Sequence, residues 1–245
     1  MKKIIFIFLL TSMTSLAYAD DKTITICSFE WPPHHGTTLT NGGYTAELIR
    51  GVFEPQGYKI VKKFLPWKRA QSYAIKGQKC DAITEIGFNE ERSEHYWFGA
   101  PYTVHEVYTI GLNSFPLKSY ESLKELEGYV IGHNRGGSFS KAFDAADFLH
   151  KKETNGYKTG VEMLLHKRLD LFVSAKSVAL YEAKKMGRLN EVRTIGKPLQ
   201  RQYIHMAFSK SNPKNLIRMQ HYNEGLFALL RSGKYDEIMK RHGFK

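Results

Sequence analysis

The feature that most constrains this chain is a regular alternation, between residues 23 and 86, of short apolar runs with segments of helical periodicity. Thr23-Ile24-Thr25-Ile26-Cys27 alternates and is rich in β-branched residues, the pattern of a strand. Residues 45–53 place Ala46, Leu48, Ile49, Val52 and Phe53 at helix spacing, and Gly57 ends the run. Tyr58-Lys59-Ile60-Val61 reads as the next strand. Leu65-Pro66-Trp67-Lys68-Arg69-Ala70 opens a helix that Gly77 closes, and residues 81–86 form a third strand. With right-handed crossovers this series makes a mainly parallel sheet flanked by helices, an α/β architecture.

Ligands in open α/β sheets sit at the carboxyl ends of the strands. Residues 81–102 place Glu85, Gly87 and Arg92 at one such mouth: an apolar strand, a glycine, then a helical turn through Asn89-Glu90-Glu91-Arg92. The arginine fork grips a carboxylate with two parallel hydrogen bonds and keeps its charge at any physiological pH; pairing with Glu90 or Glu94 on a surface helix is the plain alternative. Trp31 and Trp67 come at two further strand-to-helix mouths, where apolar rings cover a small ligand or pack the lobe. His34, His35 and His133 lie in loops and read as surface residues.

The second half repeats the rhythm. A long strand, residues 106–112, leaves the first unit, and a short helix follows at 122–127. After a strand at 129–132, the loop around Gly136-Gly137-Ser138 opens a helix, with Ser138 near its N-cap. Glycines there allow backbone N–H groups to face an anion. Residues 161–166 read as a helix, 169–173 as a strand and 177–186 as a helix. Residues 202–208 return as a second long strand, and helices at 216–232 and 235–242 end the chain.

Residues 1–19 have the form of a cleaved secretory signal: Lys2-Lys3, an apolar centre from Ile4 to Leu10, then Ala17-Tyr18-Ala19 before Asp20. The apolar run is far shorter than the ~20 residues a membrane span needs, so an exported, periplasmic protein with no stable membrane insertion is expected. The mature length suits one large domain or two modest lobes, and an apolar fraction of 42% supports an ordinary core. The net charge of +12 is spread along the chain rather than clustered. Export and the lack of a binding motif argue against a nucleic-acid role. Cys27 and Cys80 are either bridged or two buried thiols; a bridge would close about 50 residues and contribute about 4 kcal/mol. Two cysteines without a histidine at ligand spacing give no metal site, and no cofactor motif is present.

The order Gly43-Tyr44-Thr45-Ala46-Glu47-Leu48, Asn89-Glu90-Glu91-Arg92, Phe98-Gly99-Ala100-Pro101-Tyr102, Arg168-Leu169-Asp170 and Leu230-Arg231-Ser232-Gly233-Lys234-Tyr235 resembles the periplasmic solute-binding proteins that serve polar amino acid ABC importers. The resemblance covers nearly the whole mature chain. It implies a two-lobe periplasmic-binding-protein fold, each lobe a mainly parallel sheet, joined by two crossing hinge strands. Lobe one would be residues 20–111 and 205–245, and lobe two 112–204. It also implies that Arg92 binds a ligand carboxylate with help from Gly137 and Ser138, and that Trp31 and Trp67 line the cleft. The protein would be a monomer partnered by a small-molecule ligand and an inner-membrane ABC permease or a sensor.

One departure matters. Such amino-acid binders carry an acid in lobe two just beyond the strand matched by residues 169–173, whereas this chain reads Val173-Ser174-Ala175-Lys176-Ser177. Either Glu85 takes over as the ammonium partner, or the ligand is not an ordinary α-amino acid; which of Thr84, Glu85 and Gly87 faces it stays open. The function expected is capture of a small polar, carboxylate-bearing solute by cleft closure. A sensing module without transport, or a dehydratase- or lyase-like enzyme using Glu85 on the same fold, are the alternatives; no nucleophile–base pair stands at recognisable spacing.

Overall fold

The computed structural model describes residues 22–244, and the leader read from residues 1–19 lies outside the described residues. The chain runs β1 (Thr23–Ser28), α1 (Tyr44–Phe53), β2 (Lys59–Phe64), α2 (Trp67–Ile75), β3 (Ala82–Gly87), α3 (Glu90–His95), β4 (Tyr96–Phe98) and β5 (Thr103–Leu112). It continues β6 (Val130–Asn134), α4 (Lys141–Asp144), β7 (His150–Thr154), α5 (Tyr157–Leu165), β8 (Leu171–Ala175) and α6 (Lys176–Lys185). The strand β9 (Val192–Ser209) and helices α7 (Lys214–Arg231) and α8 (Lys234–Arg241) complete it.

These strands hydrogen-bond in the order β2-β1-β3-β9-β5-β8-β6-β7, with β4 beside β9. Two parallel blocks, β2-β1-β3 and β8-β6-β7, are joined through the antiparallel pair β5 and β9. This is the two-lobe α/β arrangement, with β5 and β9 as the crossing strands. In the first block Ile24, Ile26, Ile83 and Ile86 pack with Leu48, Ile49, Val52 and Phe53 of α1 and with Leu226 and Leu229 of α7. The second block has a core on each face. Leu171 and Val173 point to one with Phe139 and Phe143, while Phe172 points to the other with Val161, Leu164 and Ala179. That split is the two-residue period of a strand buried on both sides.

Cys27 and Cys80 are joined as a disulfide, Cα to Cα 5.6 Å, tying β1 to the turn before β3. Asp81 fixes the same turn: its carboxylate accepts from the Thr25 backbone N–H at 2.8 Å and pairs with Arg218 of α7 at 2.7 Å.

Four features differ from the sequence reading. The aromatic run at 96–98 is a short strand on β9. The polar run His150-Lys151-Lys152-Glu153-Thr154 is the edge strand β7, where exposure favours charge over apolar alternation. Ser140, not Ser138, caps α4, accepting from the Phe143 N–H at 3.1 Å. His34 and His35 are not surface residues but fully buried. The Trp31 N–H donates to the His35 carbonyl at 2.8 Å, so the loop folds back beneath α1. Gly43 permits this: at φ 86 a Cβ there would lie 2.3 Å from the His34 carbonyl oxygen.

Candidate functional site

Trp31, Trp67, Glu85, Gly87, Arg92, Gly137 and Ser138 all border one cavity between the two lobes. Phe29, Val107, Phe139, Tyr157, Ala175 and Gln202 complete its wall. The Tyr157 position, directly after Gly156 at the start of α5, is a mouth of the kind that marked Trp67; Gln202 lies inside a strand and carries no such signal. The cavity holds only about 30 Å³, whereas a site for a small molecule needs roughly 300 Å³ or more. The lobes meet over this cavity, so a solute of that size fits it only if they part. Wider hollows of about 770 and 710 Å³ lie beside it, past Arg92, Gly137 and Ser138 on one side and Phe29, Trp67 and Tyr157 on the other.

Contacts across the seam are specific. The Trp67 indole N–H donates to the Gly136 carbonyl at 2.9 Å across the seam, and on the crossing strand β9 the Gln202 amide donates to the Ser138 carbonyl at 3.2 Å. Gly87 makes room for that amide, since a Cβ there would lie 2.2 Å from it. The loop at 136–138 thus turns carbonyls toward lobe one. In that loop the Gly137 N–H donates to the Asn134 carbonyl, and the Asp144 carboxylate takes the Phe139 N–H and the Ser138 hydroxyl.

Arg92 is placed by the start of α3, where the Asn89 side chain caps the helix by accepting the Arg92 N–H at 2.8 Å. Its Nη1 donates to the Gly87 carbonyl at 2.9 Å, and the guanidinium lies 5.6 Å from the centre of the Trp67 ring. Burial pulls its pKa down, opposed by Tyr96 and Glu91; a guanidinium so placed remains charged. Among the described residues no protein acceptor takes its other N–H groups, which leaves a fork open for an anion.

Glu85 interrupts β3. The pairing of β3 with β9 shifts register between Ile83 and Ile86, and Glu85 adopts φ 59 there. Such a bulge re-aims a side chain that the pleat would otherwise place. Both carboxyl oxygens are buried with no hydrogen-bond partner among the described residues. Burial pushes the carboxyl up to about 7, with the Thr45 and Tyr102 hydroxyls countering part of the rise. The nearest cationic candidate is His35 Nδ1 at 3.8 Å, but burial pushes that imidazole down to about 3, so it is neutral and bonds Ser28. The Trp31 indole N–H is also buried without a partner. Thr84 turns away from the cleft, donating to Ser28. Ala175 occupies the cavity wall where the lobe-two acid was looked for, and Lys176 lies outside it, 5.7 Å from the Tyr108 ring.

Among the described residues no cluster of three metal-ligating side chains occurs, and no helix is long and apolar enough to cross a membrane.

The family model for bacterial extracellular solute-binding proteins, family 3, matches residues 27–245. A substrate-binding protein of an ABC uptake transporter from Streptococcus pneumoniae, solved with bound histidine, superposes with a TM-score of 0.79 at 21% identity, covering 91% of this chain and 93% of that one. The arginine-, lysine-, histidine-binding protein ArtJ of Geobacillus stearothermophilus gives 0.77 at 20% identity, over 91% and 96%. A histidine kinase sensor domain with similarity to periplasmic binding proteins gives 0.78 at 20% identity, over 90% and 96%. At these identities the likeness is one of fold. A comparison with curated protein sequences finds no match. The two-lobe fold, the closed cleft and the family match over residues 27–245 together place the chain: it belongs to the bacterial extracellular solute-binding proteins, family 3.

Proposed function

We propose that this protein is exported to the periplasm and there captures a small polar, carboxylate-bearing solute in the cleft, as a monomer, for delivery to an ABC importer. The observation that carries the reading is the pairing, in one aromatic-walled cavity, of an arginine with open N–H groups and a buried carboxyl without a partner. Arg92 would take the solute's carboxylate. Glu85, with Trp31 and Tyr157 beside it, would take a donor at the other end, an ammonium being the group that best repays a buried carboxylate. Lobe one would comprise residues 20–111 and 205–245, and lobe two 112–204, hinged on β5 and β9.

Micromolar affinity requires about 8 kcal/mol, within reach of a bidentate ion pair, a second charged contact and ring burial. The test is a thermal-shift screen of residues 20–245 against amino acids, polyamines, dicarboxylates and small peptides. A compound at a hundred times its dissociation constant should stabilise by about 2.7 kcal/mol. An α-amino acid hit supports both ends of the site; hits only among non-amino carboxylates remove Glu85 as an ammonium partner. No hit at all counts against solute capture, and turnover of a hit would make the protein an enzyme.

Sensing without transport is the second reading, supported by the fold shared with a histidine kinase sensor domain. The two differ in partner. Stimulated ATP hydrolysis by a reconstituted permease would favour transport.

A further inference from the structure

Away from the solute cavity, a second seam between the lobes is built around two buried imidazoles. His34, in the loop after β1, has no exposed surface, and its Nε2 bonds the Ser177 hydroxyl of α6 at 2.8 Å across the seam. Its Nδ1 is buried without a partner. The ring centre lies 4.1 Å from that of His105, on the crossing strand β5. His105 is 6% exposed, and its Nε2 faces the Tyr44 hydroxyl at 3.4 Å. Both imidazoles border a hollow of about 440 Å³ whose other wall is Lys176, Ser177 and Leu180 of α6. Parting the lobes at this seam removes Ser177 and admits water to both rings.

We propose that His34 and His105 form a pH-sensitive latch that holds α6 of lobe two against lobe one when neutral and releases it when protonated. Two imidazolium rings at 4.1 Å repel, and both gain water when α6 withdraws; among the described residues Glu106 is the one carboxylate lining the hollow. The charged and titratable groups facing the pair are Tyr44 from α1, Glu106 from β5, Lys176 from α6 and Arg201 from β9. Met239 of α8 and Phe244 complete that side with apolar surface. Glu106 is already paired with Arg201 at 3.6 Å, so the surroundings carry excess positive charge and disfavour a further cation. Burial pushes His105 down to about 4, and burial with the neighbouring His105 pushes His34 well down.

The sign follows from linkage. A histidine whose pKa is lower in the closed than in the open form favours closure fully above about 6.5, and that preference is lost as pH falls toward the closed-form value. Glu85 protonates over the same range with the opposite sign, because burial favours its neutral form. A loss of closure on acidification therefore belongs to the imidazoles. The latch requires opening and closing but no solute, so it stands or falls separately from solute capture.

The test is single-molecule energy transfer between dyes on the mature protein carrying Lys59→Cys and Lys152→Cys, exposed positions on β2 and β7 at opposite ends of the sheet. From pH 7.5 to 5.0 the closed-to-open ratio should fall at least tenfold, with about 30-fold expected for one imidazole moving from 6.5 to 4, while far-UV circular dichroism stays unchanged. His34→Gln with His105→Phe should flatten that response to under threefold. Ser177→Ala, which removes the bond without removing a titrating group, should lower the closed fraction at pH 7.5 and keep the pH response. A ratio constant within twofold between pH 7.5 and 5.0, a full response surviving in the double variant, or loss of secondary structure at pH 5.0 would each overturn the latch.

Discussion

Glu85 sits at φ 59 in mid-strand, a conformation that costs of order 1–3 kcal/mol for a residue with a side chain. It also buries a carboxyl whose oxygens find no hydrogen-bond partner among the described residues, with the Thr45 and Tyr102 hydroxyls offsetting only part of that burial. No cation pairs with that group among the described residues, and its cost to the unliganded protein is the reason to assign it to the ligand. Burial raises its pKa to about 7, so the unliganded fold is least penalised below pH ~4.3 and loses stability as pH rises to 7 and beyond. Replacing Glu85 by Gln should stabilise the unliganded protein by about 3 kcal/mol at pH 8 and by under about 1 kcal/mol at pH 5, as read from urea melts at the two values. Equal gains at both would mean that the carboxyl carries no such shift. The residue types of this site were legible in the sequence because arginine, glycine and tryptophan at strand mouths have few other uses. The orientation of Glu85 was not, because it depends on a bulge set by pairing with β9, nearly 120 residues away. His34 and His35 were read as exposed for a related reason: a loop's burial is decided by what folds over it.

At the level of elements, β3 and α3 must hold their register for Arg92 to reach the cleft. Asp81 pins the start of β3 through Thr25 and through Arg218. Arg218 is 8% exposed and also donates to the Thr23 carbonyl. Truncating one partner of a buried pair strands the other, so Arg218→Ala should destabilise by about 3 kcal/mol in urea melts while leaving solute affinity within about threefold. An effect under 1 kcal/mol would show that α7 does not anchor the strand. The Cys27–Cys80 bridge acts on the same unit. Its sequence separation of 53 residues corresponds to about 4 kcal/mol of loop entropy, so melting under reducing conditions should occur well below the oxidised value, and an unchanged melting temperature would contradict this. Elements with strong periodicity, such as α1 and β8, were legible from the residues alone. The strand β7 was not, since it is a short edge whose composition reflects exposure more than pairing, and β4 was not, since three aromatic residues are too few to show a period.

The molecule as a whole combines two lobes, each with its own buried core, through only two strands and a few polar contacts across the seam. That construction separates stability from closure: the cores keep each lobe folded while Trp67 and His34 bond across the seam. A solute shifts the balance only by preferring the closed form. The βα rhythm and the two long strands left one large domain or two lobes open, and the two-lobe organisation came from the family resemblance. The closed state and the latch were not legible, because they arise from contacts between segments about 70 to 143 residues apart. The most direct test of solute capture at Arg92 is calorimetric titration of the strongest thermal-shift hit into the wild-type mature protein and into Arg92→Ala. The account predicts at least a hundredfold weaker binding to the variant, about 2.7 kcal/mol, with an unliganded melting temperature within a few degrees of wild type. Equal affinity in the two proteins would contradict it and remove Arg92 from the site.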